Sequence, residues 1–147
     1  MNILMMTNTY TPHVGGVTGS VLDFTHGYRA RGHRVMVVAP EFEGDPEREE
    51  DVFRVPAIQN FNGSDFSLTL PAPAGLTEAV SAFGPDVIHS HHPFLLGDTA
   101  LRMAAARNLP LVFTHHTMYE QYTHYVPGDL PAFARFIKTL ATGYANL

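Results

Sequence analysis

Short continuous apolar runs alternate with segments of helical periodicity along most of the chain. The apolar runs have the length of strands that are buried on both faces, as in a parallel sheet covered by helices. They are Asn2–Thr7, His33–Ala39, Val52–Val55, Asp86–His89 and Leu111–Thr114. The periodic segments predict helices over Thr18–Arg31, Ala74–Phe83, Leu95–Asn108 and Pro131–Tyr144. The segment Pro56–Pro73 is rich in Asn, Ser, Gly and Pro, so we expect irregular structure there, with one small strand at Phe66–Leu70.

The first and last predicted helices each carry an apolar stripe on one side. In the first helix the stripe consists of Val17, Val21, Phe24 and Tyr28. In the last it consists of Phe133, Phe136, Ile137, Leu140 and Tyr144. Such a stripe usually faces the protein core. For the last helix, contact with a bilayer surface or an apolar acceptor is the alternative, with Arg135 and Lys138 on its polar side.

This alternation predicts an α/β fold, a Rossmann-like doubly wound parallel sheet. With right-handed crossovers, the simplest strand order is 3-2-1-4-5. In such sheets a ligand binds at the carboxyl ends of the strands, where the direction of winding reverses. The pattern therefore predicts a site beside the loops that follow the first, fourth and fifth strands.

Composition narrows the class of protein. The chain has 147 residues, of which 45% are apolar and 16% charged, as expected for one globular domain. No apolar run approaches the roughly 20 residues of a membrane helix. The start is typical of a buried strand rather than a signal peptide, and we expect a cytoplasmic location. The absence of cysteine excludes disulfides and thiolate chemistry.

The acidic charge is concentrated in one segment. Glu41–Asp51 contains seven carboxylates and one arginine, a balance of −6 within a total net charge of −5. We expect this segment to be an acidic surface loop, with an acidic recognition arm as the alternative. The remaining chain is nearly neutral and has no basic stripe of the kind that nucleic acid requires.

The loop after the first strand, Asn8–Val17, contains the adjacent glycines Gly15 and Gly16 just before a predicted helix. Such glycines let backbone N–H groups approach a phosphate at a helix N-terminus, or they simply permit a sharp turn. No Lys-Ser or Lys-Thr pair follows, which excludes a P-loop. The glycines also lie too far beyond the strand for a typical dinucleotide fingerprint, although Glu41 after the second strand keeps that alternative open.

Five of the nine histidines follow the fourth and fifth strands: His89, His91, His92, His115 and His116. Near pH 7 histidine suits sugar hydroxyls, phosphate oxygens or proton transfer. A zinc site is one alternative, but adjacent residues on an extended chain point to opposite sides, and no carboxylate accompanies these histidines in the two loops. Packing or capping without a direct role is another. Tyr119, Tyr122 and Tyr125 either line an acceptor pocket or pack beneath a loop.

Four motifs together resemble the retaining glycosyltransferases of family 4, which have the two-domain GT-B fold. They are Tyr10-x-Pro12-x-x-Gly15-Gly16-Val17, Gly32-His33-x-Val35, Pro85-Asp86-Val87-Ile88-His89-x-His91-x-Pro93 and Val112-Phe113-Thr114-x-His116-Thr117. Each motif is weak alone, but they occur in order over most of the chain. The stretch Thr114–Tyr125 is most similar to the branch that transfers sugars, often glucose, to diacylglycerol.

The resemblance implies roles for particular residues. Gly15, Gly16 and Val17 would approach the diphosphate of a nucleotide-sugar donor, a UDP-sugar, and His116 would contact the transferred sugar as the catalytic residue. The cleft and acceptor side would be formed by Tyr10, His13, His89, His91 and Tyr119. The diphosphate leaving group would help to deprotonate the acceptor, so no protein nucleophile, cofactor or metal is implied.

The resemblance also implies a domain organisation. Residues 1–147 would form the N-terminal, acceptor-side domain, with 131–147 as the start of the interdomain helix. Peripheral contact with the inner face of the membrane is a further implication. The nucleotide would be held by a C-terminal domain with a glutamate motif, which this chain does not contain, so we expect negligible transferase activity from the chain alone. The alternatives are a small NAD(P)- or nucleotide-binding Rossmann domain and a non-catalytic glycan- or lipid-binding module.

Overall fold

The computed structural model describes residues 1–45, 49–60, 67–69, 74–118 and 131–147, without the side chains of Pro131 and Phe133. Seven strands and four helices lie within these ranges. The strands are β1 (Asn2–Met6), β2 (Arg34–Pro40), β3 (Val52–Val55), β4 (Ala57–Ile58), β5 (Leu68–Thr69), β6 (Val87–Ser90) and β7 (Leu111–Phe113). The helices are α1 (Gly16–Ala30), α2 (Leu76–Phe83), α3 (Leu96–Arg107) and α4 (Pro131–Ala145).

The five longer strands form one parallel sheet in the order β3-β2-β1-β6-β7. Counting only these strands, the order along the sheet is 3-2-1-4-5, which confirms the predicted fold. The central strand β1 pairs with β2 on one side, where Leu4 faces Met36, and with β6 on the other, where Met5 faces His89. The winding reverses between β1 and β6, at the predicted place.

The residues of β1 alternate between two apolar layers, because successive side chains of a strand point to opposite faces. Leu4 and Met6 pack with α2 and α3 on one face. Ile3 and Met5 pack with α1 on the other. The predicted stripe of α1 is confirmed, because Val21 is fully buried and Val17, Phe24 and Tyr28 pack against the same layer.

Most predicted elements are displaced by only one or two residues, but α1 differs in a way that matters for the site. It begins at Gly16 rather than Thr18, and Gly15 is its N-cap residue. The glycine pair is therefore part of the helix N-terminus itself. In the segment expected to be irregular, β4 and β5 form a small antiparallel ribbon, and β4 was not predicted.

The last helix does not bury the whole stripe that its periodicity indicates. Ala141 and Tyr144 are buried, and the Tyr144 hydroxyl donates a hydrogen bond to the carbonyl of Gly97 at 2.8 Å. Phe136, in contrast, is 58% exposed, so the prediction that it lies in the core was wrong. In the described part of the chain, no helix has the length and apolar character needed to cross a bilayer.

The acidic segment is more than a solvated loop. Its residues Asp45 and Glu49 both form ion pairs with Arg54 on β3, and the three side chains are only 13–15% exposed. Residues 46–48 lie outside the described ranges. The segment is therefore tied to the sheet edge at two carboxylates, because each is paired with the same partly buried cation.

Candidate functional site

The loops that follow β1 and β6 are joined through Asn8 at the carboxyl edge of the sheet. The Asn8 side chain donates to the carbonyl of Phe94 at 3.0 Å and accepts from the backbone N–H of Leu96 at 3.0 Å. The backbone N–H of Asn8 donates to Nδ1 of His92 at 3.1 Å. Asn8 is only 3% exposed, so these bonds fix the start of one loop against the other in a place that water does not reach.

The N-terminus of α1 is open toward solvent and has no side-chain cap. Gly15, the N-cap residue, has no side chain to cap the helix, and the first turn of the helix carries no acidic residue. A Cβ at Gly16 would have nothing within 4 Å, whereas one at Gly15 would lie 3.3 Å from Nε2 of His13. The first N–H groups of a helix lack intrahelical acceptors and lie at the positive end of its dipole. This end is suited to an anion such as a phosphate.

Arg54 holds the beginning of the glycine loop, the segment 8–17 that contains Gly15 and Gly16. Its guanidinium donates to the carbonyl of Thr11 and to the carbonyl of Pro40, each at 2.9 Å. It also lies 5.4 Å from the ring centroid of Tyr10. The planar fork of arginine has donors enough to hold these carbonyls and the carboxylate of Glu49 at once. Arg54 therefore connects β3, the acidic segment and the glycine loop.

Three imidazoles form a continuous stack on the α1 side of β6 and in the loop after β7. The ring centroids of His89 and His91 are 4.2 Å apart, and those of His91 and His116 are 5.1 Å apart. Nε2 of His89 lies 2.7 Å from the hydroxyl of Thr114, and Nδ1 of His91 lies 2.8 Å from Nε2 of His116. The edge contact of Phe24 on His89, at 5.1 Å, closes the stack from α1.

Burial makes these histidines poor bases. It lowers the pKa of His89 to about 4 and that of His91 to about 2, with the nearby imidazoles acting in the same direction. The pKa of His92 falls to about 3, again mainly through burial. Burial also lowers the pKa of the more accessible His116, as does its neighbour His115. The stack is therefore uncharged at neutral pH, and it can offer hydrogen bonds but no fixed positive charge.

The two adjacent histidines after β7 point to different surroundings, as expected for an extended chain. His116 joins the stack, whereas His115 is exposed and lies 6.0 Å from the ring of Phe113. Across the ranges that the structure describes, no group of three or more histidines and carboxylates is arranged to hold a metal ion.

The structure brings together some of the predicted site residues and separates others. His89, His91 and His116 are in one cluster, while Gly15, Gly16 and Val17 form the start of α1. Tyr10 is 6% exposed beneath its loop, and burial raises the pKa of its hydroxyl. His13 is half-buried and stacks on Phe42 with ring centroids 6.0 Å apart. Tyr119 lies outside the described residues, as do Tyr122 and Tyr125.

Asn8 and Arg54 were not predicted, although each holds a loop of the site. An Asn next to a strand and an Arg in an apolar run are common. Nothing in the neighbouring sequence indicates that either residue makes several hydrogen bonds inside the protein. For Arg54 a weak signal existed, because a charge within the strand Val52–Val55 needs partners if it is buried. The excess of carboxylates in residues 41–51 indicated where the partners of Arg54 could lie.

Together these features offer two kinds of interaction at one sheet edge. The uncapped amides of α1 are matched to phosphate oxygens, and the neutral imidazole of His116 is matched to hydroxyl groups. The loop before α1 is held by Asn8 and Arg54, and His116 is held by His91. Such a combination is suited to a ligand that carries both phosphate and sugar.

Comparison with known proteins identifies relatives over most of the chain. The family model described as Glycosyltransferase Family 4 matches residues 14–146. An alpha-monoglucosyldiacylglycerol synthase of Acholeplasma laidlawii is 34% identical over 141 residues, which cover 91% of this chain and 34% of the relative. The enzyme of the same name from Streptococcus pneumoniae is 28% identical over 99% of this chain and 33% of its own length.

A GDP-mannose-dependent alpha-mannosyltransferase of Corynebacterium glutamicum is 29% identical over 80% of this chain and 29% of the relative. The chain thus spans about a third of the length of the relatives that it matches. The family match extends from the glycine loop through the histidine stack to the last helix. On this evidence the chain belongs to glycosyltransferase family 4.

Proposed function

We propose that this chain supplies the acceptor-side part of a retaining glycosyltransferase, which moves a sugar from a nucleotide-sugar donor to a lipid or other hydroxyl acceptor. The observation that carries the proposal is the open, uncapped N-terminus of α1, next to the carboxyl ends of β1 and β6. Family membership supports the reaction class, and the site supports the place where the donor would bind.

In this proposal the diphosphate of the donor meets the first turn of α1 at Gly15, Gly16 and Val17. Open space at Gly16 lets phosphate oxygens come close to the backbone N–H groups. The helix dipole stabilises the negative charge, which increases as the bond from the sugar to the diphosphate breaks. The same oxygens would take the proton of the acceptor hydroxyl, and this retaining route requires no carboxylate nucleophile from this chain.

His116 is the proposed contact to the transferred sugar. Its ring is partly accessible, and one nitrogen is already engaged by His91 at 2.8 Å, which leaves the other for a ligand. Because burial lowers its pKa, His116 would act as a neutral hydrogen-bonding group rather than as a cation that attracts the phosphates. Tyr10, His13, His89, His91 and Tyr119 stay predictions for the shape of the cleft.

The relatives guide the proposal of substrates. Two are named alpha-monoglucosyldiacylglycerol synthase, so a lipid acceptor is proposed first. The proposed donor is a UDP-sugar, without a cofactor or metal. Helix α4 supports a lipid acceptor, since Phe136 is exposed on its apolar side while Arg135 and Lys138 are exposed on its polar side. Such an amphipathic helix suits peripheral contact with anionic lipid at the inner side of the membrane.

The nucleotide itself would be held elsewhere. We propose that residues 1–147 are the N-terminal domain of the enzyme, and that α4 begins the passage to a second domain. The length of the relatives supports this proposal, because this chain corresponds to about a third of each. An NAD(P)-binding function has less support, because a dinucleotide fingerprint has its glycines in the turn after the strand, whereas the loop Thr7–Gly15 intervenes here.

A hybrid enzyme tests the proposal. This chain replaces the matching third of the Acholeplasma relative, and transfer of labelled glucose from UDP-glucose to diacylglycerol is measured. We expect transfer with an α-linked product, identified by the NMR coupling of its anomeric proton. Replacement of His116 by alanine should lower kcat by about 10²-fold or more, the typical loss for one oriented hydrogen-bonding group at a reaction centre.

The matched control is His115→Ala, one residue away, exposed and outside the stack. It should leave kcat within about twofold of the parent hybrid. Equal activity of the His116 and His115 variants would refute the role proposed for His116. A β-linked product would refute retention while leaving the transferase class intact.

A further inference from the structure

His91 occupies an unusual position between the accessible part of the site and the core. Its side chain is completely buried, with 0% of its surface exposed. Nδ1 of His91 lies 2.8 Å from Nε2 of His116, so one proton is shared between two ring nitrogens. Since His91 is shielded, it cannot touch an acceptor directly, and any influence on the ligand passes through His116.

The other nitrogen of His91 decides where this proton lies. Nε2 of His91 is buried and has no hydrogen-bond partner in the described structure. If His116 donated, His91 would have to carry its own proton on Nε2, as an orphaned N–H inside the protein. If His91 donates from Nδ1, Nε2 is only an unused lone pair.

The second arrangement is favoured because a buried donor without a partner is rarer in folded proteins than a buried acceptor without one. A doubly protonated His91 is excluded at neutral pH, because burial lowers its pKa to about 2. His89 follows the same rule: its Nε2 has Thr114 at 2.7 Å, while its Nδ1 has no partner in the described structure. Both buried rings are satisfied best with the proton on the nitrogen that has a partner.

We propose that His91 is a positioning residue that fixes the tautomer of His116. By donating from Nδ1 to Nε2 of His116, it requires neutral His116 to carry its proton on Nδ1 and to present an N–H donor to the ligand. The ligand atom at that point is then an acceptor oxygen of a sugar hydroxyl or a phosphate. This inference rests on the proposed function for the identity of the ligand, but not for the tautomer.

Long-range ¹H–¹⁵N NMR of this chain, labelled with ¹⁵N-histidine, reads the tautomers directly at pH 7.5. We expect protonated Nδ1 and unprotonated Nε2 for both His91 and His116. A proton on Nε2 of His116 would overturn the proposal. The spectrum is recorded without donor or acceptor, so this result is independent of transferase activity. Loss of transfer in a hybrid whose tautomers are as expected would instead count against the proposed function.

Two substitutions at His91 distinguish a role in placing the proton of His116 from a role in packing alone. His91→Asn places an amide N–H where Nδ1 was, so His116 should keep its proton on Nδ1. His91→Leu removes the donor, so His116 should become a mixture of both tautomers. His115→Gln is the matched control: it changes the neighbour of His116 but should leave the His116 proton on Nδ1. If His91→Leu folds and His116 still carries its proton only on Nδ1, the role of His91 is overturned. If His91→Leu does not fold, the tautomer of His116 in the wild-type spectrum decides the proposal.

Discussion

At the scale of single residues, the environment of each histidine determines what its ring can do. His91 and His92 are neighbours in sequence, yet His91 contacts His116 while His92 accepts a hydrogen bond from the backbone of Asn8. Both are buried, and neither can be protonated without losing a contact or placing a charge in the core. The protonation of these two histidines is therefore linked to the stability of the fold.

This linkage predicts that the protein loses stability as the pH falls below about 6.5. The folded-state pKa values of His89, His91 and His92 are about 4, 2 and 3, below the unfolded value of 6.5. The unfolded chain then binds more protons, so the free energy of unfolding should decrease by about 1.4 kcal/mol per pH unit for each histidine, between about pH 6.5 and 4. Urea unfolding at pH 7.5, 6.5 and 5.5 measures this slope.

The variant His92→Gln should lower the stability at pH 7.5 but make its dependence on pH less steep by about one third, since one of three buried histidines is removed. His26→Gln, at an exposed position of α1, is the control and should leave the slope unchanged. A stability that is constant between pH 7.5 and 5.5 would show that these rings are not buried in the neutral form.

At the scale of elements, the site depends on contacts between loops rather than on any one loop. Arg54 links β3 to the glycine loop through the carbonyl of Thr11, and it is itself held by Asp45 and Glu49. Arg54→Lys keeps the charge but loses the planar fork. We expect amide hydrogen exchange to become at least tenfold faster for residues 10–16, while exchange in β6 changes little.

Arg102→Lys provides the matched control, because Arg102 is 67% exposed and, among the described residues, pairs with Asp98 on the same helix. An exposed pair of this kind contributes at most about 1 kcal/mol, so exchange in the glycine loop should not change. Equal exchange rates in both variants would mean that Arg54 does not restrain the loop.

The sequence allowed the elements to be predicted much better than the contacts between them. The strands followed from apolar runs such as Asn2–Thr7, because burial on both faces leaves a local pattern, and their order followed from right-handed crossovers. Of the five histidines expected at one edge, His89, His91 and His116 form the stack, and the pairing of His91 with His116 depends on strand register. Asn8 and Arg54 were missed because their partners are distant in sequence, and Phe136 was misassigned because periodicity does not show which face is covered.

At the scale of the whole molecule, one sheet edge combines a helix N-terminus suited to an anion with a neutral imidazole stack. The family match covers both, and the matched relatives are about three times as long as this chain. The proposal is that this edge forms one wall of a cleft whose other wall holds the nucleotide. A single wall would orient neither the leaving group nor the acceptor well enough for transfer, because both must be fixed in the same geometry.

The most direct measurement is therefore transfer of labelled glucose from UDP-glucose to diacylglycerol by this 147-residue chain alone, beside the hybrid enzyme at the same concentration. The account predicts labelled glycolipid from the hybrid and none above the blank from the chain alone. Glycolipid formed by the purified chain without a second domain would contradict it.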